Sequence, residues 1–254
     1  MRKKIVAGNW KMNKNFEEAK ALVAELLGMV EAEASTTTEV VVCVPFPYLL
    51  TVQQLTAGKS IKVGAQNCSE HTSGAFTGEV SAPMLQSLHI PFVIIGHSER
   101  RQYFAESYAQ LAKKTDQALA NNLTPIFCCG EPLEVREKNE HEKLVKEQIE
   151  ASLFHLSATD LQKVVIAYEP VWAIGTGKTA SAQQAQDMHA VIRQHLASKY
   201  GAAVANSISI LYGGSVNAGN AAELFACTDV DGGLVGGASL KSREFTDIVK
   251  AMKA

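Results

Sequence analysis

A carboxylate at a Glu-Pro step is the most chemically pointed feature of the sequence. Glu169 follows the apolar run Val164 to Tyr168 and precedes Pro170. The proline ring fixes its own φ and pushes the residue before it toward extended geometry, so a buried strand delivers an aimed acid or base. Val171, Trp172, Ala173 and Ile174 form an apolar stretch ending in Gly175-Thr176-Gly177. That is the composition of a lid, with a hydrophobic body to exclude water and permissive residues to absorb a change in φ and ψ. Abstraction of a proton next to a carbonyl needs such a base together with a donor for the oxyanion that develops, each contributing roughly 10²-fold or more. His97, in Gly96-His97-Ser98-Glu99-Arg100-Arg101, is a candidate donor, although by itself it reads equally as a satisfied core histidine. Lys11, in Gly8-Asn9-Trp10-Lys11, is either a cation held in a site or a snorkelling surface residue.

Several competing chemistries fail on single residues. The His97 segment misses the G-x-S-x-G nucleophile elbow because Arg100 stands at the final glycine. Gly175-Thr176-Gly177-Lys178-Thr179 ends like a phosphate-binding P-loop, but Trp172 stands where that motif needs glycine. The same residues fit G-x-G-x-x-A, yet they follow their strand at a distance, with Glu-Pro-Val-Trp intervening. Cys128 and Cys129 read as small buried hydrophobes rather than reactive thiols. Gly213-Gly214-Ser215 and Gly236-Gly237 are different: glycine lets backbone N–H groups approach an anion closely, as at a phosphate site.

The elements that must position these residues alternate regularly. Short apolar runs occur at Ile5 to Ala7, Val40 to Val44, Ile61 to Ala65, Phe92 to Ile95, Pro125 to Cys128, Val164 to Tyr168, Ile208 to Tyr212 and Gly233 to Val235. Near-continuous apolarity marks strands covered on both faces. Helical stripes lie between them, such as Phe16, Ala19, Val23, Leu26, Leu27 and Val30, and Ser107 with Gln110 and Ser181 with Gln184 fit capping boxes. Eight βα units in 254 residues predict an α/β fold, a closed (β/α)8 barrel in a single domain over residues 1–254. The polar residues cluster after most of the strands, which favours the barrel over an open doubly wound sheet. Lys113-Lys114, the stretch Glu134 to Lys146, and His141, His155, His189 and His195 read as solvated helix surface. The loop Gln66 to Pro83 is long enough to predict a function or a cover.

Composition narrows the partners. A net charge of −2 gives no general attraction to nucleic acid, and no apolar run approaches the roughly 18 residues of a membrane span. The apolar stretch after Met1-Arg2-Lys3-Lys4 is too short for a signal peptide and reads as a first strand. Five cysteines without a C-x-x-C pair predict a reducing, cytoplasmic setting and no structural zinc.

Taken together, Gly8 to Lys11, Gly78-Glu79, Gly96 to Arg101, Tyr168 to Lys178, Tyr212 to Val216 and Leu234 to Leu240 resemble the triosephosphate isomerase family in collinear order over the whole chain. The one departure is Cys129, beside the family's usual cysteine at Cys128. The resemblance implies a TIM barrel that interconverts two triose phosphates in glycolysis and gluconeogenesis, without metal or organic cofactor. It implies Glu169 as the base, neutral His97 as the donor, Lys11 as the positive field and Asn9 as a further donor. Ser98, Glu99 and Cys128 would support the site, and the backbone around Gly175, Ser215, Gly236 and Gly237 would hold the phosphate. It also implies a homodimer in which Thr77 reaches toward Asn13 and Glu99 of the partner subunit. Two rivals stand beside it: another phosphate-binding barrel isomerase or lyase, such as a Schiff-base aldolase using Lys11, and a non-catalytic barrel serving as a binding protein.

Overall fold

The computed structural model describes residues 2–34, 37–174 and 179–252. Eight parallel strands close into a barrel in sequential order. They are β1 (Lys4–Asn9), β2 (Thr38–Val44), β3 (Ile61–Ala65), β4 (Phe92–Ile95), β5 (Thr124–Glu131), β6 (Val165–Pro170), β7 (Ile210–Tyr212) and β8 (Gly232–Val235). Closure is made by β1 on β8, with Ile5 opposite Gly232 and Gly8 opposite Val235.

Strand periodicity divides the apolar residues into two separate cores. Ile5, Ala7, Val41, Cys43, Ile94, Ile126, Cys128, Ala167, Leu211 and Leu234 pack together as one cluster, the barrel interior. Their neighbours Val6, Val42, Val63, Ile95, Phe127, Ile166, Tyr168 and Tyr212 belong to the larger layer beneath the surrounding helices. Because side chains alternate with period two, Asn9 extends the inward row of Ile5 and Ala7, and Glu169 extends that of Val165 and Ala167. The same alternation that fills the barrel carries these two polar groups to its carboxyl end. Glycine makes the crowding there possible: a Cβ at Gly130 of β5 would overlap the carbonyl of Glu169.

The predicted capping boxes at Ser107/Gln110 and Ser181/Gln184 are present, and Asn15 with Glu18 forms a third. Three expectations are corrected. Phe16, at the first position of its helix, is exposed rather than part of the buried stripe. Lys114 is buried, its ammonium 2.6 Å from Glu106 Oε1 and 3.0 Å from Asn67 Oδ1; a paired, hydrogen-bonded charge tolerates burial that a lone one does not. His189 is fully buried, not solvated.

Burial lowers the His189 pKa from 6.5 to about 4. The unfolded chain therefore binds the extra proton first, so this contribution to stability is complete above pH 6.5 and is lost as pH falls toward 4. The gap corresponds to about 3 kcal/mol. Chemical denaturation between pH 7 and 4 is expected to show this decline, and the His189→Asn variant is expected to show a shallower one. Equal slopes in the two proteins would refute the assignment.

Candidate active site

The carboxyl ends of the strands surround a cavity of about 350 Å³ lined by Asn9, Lys11, His97, Glu169, Ile174, Gly213, Gly214, Ser215, Val216, Asn217, Leu234, Gly236, Gly237, Ala238 and Glu244. The cavity joins a charged end to a glycine-rich end.

At the charged end Glu169, almost fully buried, places Oε1 2.9 Å from His97 Nε2 and accepts the backbone N–H of Ser98 at Oε2, 3.0 Å away. His97 caps the helix Ser98–Tyr103, and its Nδ1 accepts the N–H of Glu99 at 3.2 Å. An accepting Nδ1 carries no proton, so the proton lies on Nε2 and the neutral ring donates. Glu99 does a second job through its side chain, whose Oε1 is 2.6 Å from Lys11 Nζ.

Burial works to depress the His97 pKa, but the Glu169 carboxylate outweighs it and holds the ring above its ordinary 6.5. For Glu169 burial works upward, while His97 and the Ser98 amide hold the carboxyl below its ordinary 4.5. Each group is thus tuned by the other.

Lys11 adopts a left-handed backbone with φ 53°, a conformation costing a non-glycine residue roughly 1–2 kcal/mol. Its N–H donates to Asn9 Oδ1 at 3.1 Å and its carbonyl accepts from Gln66 Nε2 at 2.9 Å, so neighbours hold the strained turn in place. In the sequence Gln66 only begins a long polar loop and carries no signal of its own.

Beyond β6, the turn Val171–Ala173 is anchored on both sides. The Trp172 indole donates to Glu131 Oε1 at 2.9 Å, the same oxygen that accepts the Tyr168 hydroxyl at 3.0 Å and Arg136 Nη1 at 3.0 Å. On the other side the Ser215 hydroxyl donates to the Ala173 carbonyl at 2.6 Å. Glu131 is fully buried. Neither it nor Arg136 was singled out from the sequence, where a glutamate after a strand and an arginine in a charged helix carry no signal.

The glycine-rich end is built from Gly213, Gly214, Ser215, Gly236 and Gly237, the last beginning the single turn Gly237–Leu240. Its backbone can lie close to an anion, and the apolar side chains of Ile174 and Leu234 also line the cavity. Gly175, also expected at the phosphate, lies outside the described residues. Cys128 is buried in the barrel interior, where desolvation lifts its thiol well above the ordinary 9.0 and keeps it protonated. Its carbonyl accepts Arg101 Nη2 at 2.8 Å while Arg101 Nε donates to Gly96 O at 2.7 Å, tying β5 to the turn that carries His97. Thr77 lies apart from the cavity, on an exposed loop. Among the described residues no cluster of three or more His, Cys, Asp or Glu side chains is arranged to hold a metal ion.

A buried carboxylate, an imidazole, a lysine ammonium and a glycine-rich backbone therefore converge in one cavity. A family model described as triosephosphate isomerase matches residues 4–252. A protein named triosephosphate isomerase from Cytophaga hutchinsonii is 59% identical over 251 residues, covering 99% of this chain and 100% of that protein. Those of Phocaeicola vulgatus and Bacteroides fragilis are each 55% identical, covering 100% of each chain for the first and 99% of each for the second. With the barrel, the collinear motifs and a match over nearly its whole length, the chain belongs to the triosephosphate isomerase family.

Proposed function

We propose that this protein interconverts dihydroxyacetone phosphate and D-glyceraldehyde 3-phosphate by proton transfer through an enediolate, in glycolysis and gluconeogenesis. The observation that carries the reading is the buried carboxylate of Glu169 against the Nε2 of neutral His97, in a cavity also lined by the glycine backbone of Gly213, Gly214, Gly236 and Gly237. Glu169 takes a proton from the carbon beside the carbonyl, and the C–H electrons move toward the carbonyl oxygen. His97 Nε2–H donates to that oxygen as charge develops, with Lys11 supplying positive potential and Asn9 a further donor. The hydroxyl proton on the first carbon passes by way of His97 to the former carbonyl oxygen, and Glu169 returns its proton to the former carbonyl carbon as the first carbon's oxygen becomes the new carbonyl. To reach the substrate the carboxylate must leave His97 and the Ser98 amide. Burial then acts on it against Lys11 alone, favouring a higher proton affinity when it must act as a base.

Ser98, Glu99 and Cys128 support the site. The backbones of Ser215, Gly236 and Gly237, with Gly175, hold the phosphate, whose binding energy is thereby available for organising the remote reacting end. Lys11, ion-paired to Glu99, is arranged as a fixed charge rather than as the nucleophilic amine of a Schiff-base aldolase. The purified protein is expected to convert dihydroxyacetone phosphate to glyceraldehyde 3-phosphate in an assay coupled to oxidation of the aldehyde. Absence of turnover would overturn the reading.

The same reading gives a cytoplasmic homodimer. All five cysteines are free, and no helix of the described residues is long and apolar enough to cross a membrane. Met12, Phe76, Met84, Tyr103 and Phe104 are exposed together with Thr77, more large apolar surface than a monomer comfortably presents to water. In the dimer Thr77 reaches toward Asn13 and Glu99 of the partner subunit, and that Glu99 holds a Lys11. Sedimentation is expected to give a dimer, and Thr77→Arg to shift it to monomer with at least a tenfold loss of kcat. A fully active wild-type monomer would refute the assembly.

A further inference from the structure

Tyr168 and Tyr212 are register partners on β6 and β7, and both point outward into the helical layer. Each immediately precedes a functional segment, Tyr168 before Glu169 and Tyr212 before Gly213-Gly214-Ser215. One side chain meets both rings. His189, from the helix Ala182–Tyr200, stands edge-on to Tyr168, with centroids 5.9 Å apart and planes at 89°, and lies tilted against Tyr212 at 6.4 Å and 34°. Its Nδ1–H donates to the Asp229 carbonyl at 3.2 Å. Asp229 is itself fixed by Arg193 Nε at 2.6 Å and by Gln186 Nε2 at 2.7 Å, so the plane of the imidazole is set from outside the barrel.

The junction that His189 backs has little slack. Gly213 N–H donates to Tyr168 O at 2.7 Å, and a Cβ at Gly213 would sit 2.9 Å from Glu169 Cγ. A small relative movement of the two strand ends would therefore displace the base against the phosphate segment, and a misplacement of about 1 Å can cost on the order of 10² in rate. The proton transfer itself makes no use of His189.

We propose that His189 is a positioning residue that keeps Glu169 in register with Gly213-Gly214-Ser215 through its contacts with Tyr168 and Tyr212. This rests on the isomerase reading and extends it. Binding energy from the phosphate raises kcat only where it is realised in the transition state, which a fixed register between the phosphate segment and the base favours. A histidine that merely filled space would alter stability and leave substrate discrimination untouched.

The test compares wild type, His189→Asn and His189→Gln with dihydroxyacetone phosphate or glyceraldehyde 3-phosphate and with glyceraldehyde, which lacks the phosphate. The ratio of kcat/KM between phosphorylated and unphosphorylated substrates is expected to fall about tenfold in a folded variant. Glyceraldehyde turnover is expected to stay within about threefold of wild type. An unchanged ratio in a variant that is folded by thermal unfolding overturns the proposal. Should neither variant fold, the wild-type enzyme with 15N-labelled histidine decides: inorganic phosphate is expected to shift the His189 ring resonances, and unmoved resonances overturn the proposal. Failure of wild type to isomerise triose phosphate would instead refute the underlying reading.

Discussion

Glu169→Gln is expected to lower kcat by about three orders of magnitude, with KM within a few-fold of wild type and thermal stability close to it. The substitution removes the only group in the cavity proposed to accept the proton while keeping the side chain's length and shape. The glutamine carbonyl can still accept the Ser98 N–H that Glu169 Oε2 accepts at 3.0 Å. Its amide would then face His97 Nε2, which already carries a proton because Nδ1 accepts from Glu99. Two opposed donors cost about 1–3 kcal/mol, offset by no longer burying a carboxylate. Activity and stability therefore separate cleanly in this variant. Coupled-assay kinetics and thermal unfolding on one preparation check both halves. Retention of more than a tenth of wild-type kcat would show that another group takes the proton.

The scaffold was legible because its signal is repeated. Eight apolar runs separated by amphipathic stripes leave few alternatives, and period-two alternation then places Glu169 and Asn9 on the inward rows at the top of the barrel. Asn9, Lys11, His97 and Glu169 stand out in the sequence because each follows or ends an apolar run, and all four line one cavity. What stayed hidden depends on tertiary partners. Lys114 resembles any helix lysine until Glu106 and Asn67 are brought to it, and His189 resembles a surface histidine until Tyr168, Tyr212 and Asp229 enclose it. Glu131 likewise becomes an anchor only when the strand order sets β5 beside β6 and the turn after β6 folds Trp172 back onto it. Spacing along a chain does not report such convergence, because most of these partners come from other elements of the barrel.

The donor's variant is chosen by its place in the fold. His97→Asn is expected to lower kcat by about 10²- to 10³-fold while leaving the protein folded, and to increase the fraction of turnovers that end in loss of phosphate. Asparagine is among the best residues for starting a helix, and position 97 caps Ser98–Tyr103 by accepting the Glu99 N–H. A shorter side-chain oxygen can keep that bond, so Glu99 stays in position to hold Lys11. What the shorter side chain cannot do is present a donor at the depth of His97 Nε2, which lies 2.9 Å from Glu169 Oε1. The enediolate oxygens would then be stabilised by Lys11 and Asn9 alone. Its formation would become slower, and once formed it would be poorly held for return of the proton, leaving more time for expulsion of the phosphate. Measuring inorganic phosphate release alongside isomerisation separates this from a general loss of activity. A fall in both rates by the same factor would show that His97 assists binding or folding rather than the developing oxyanion.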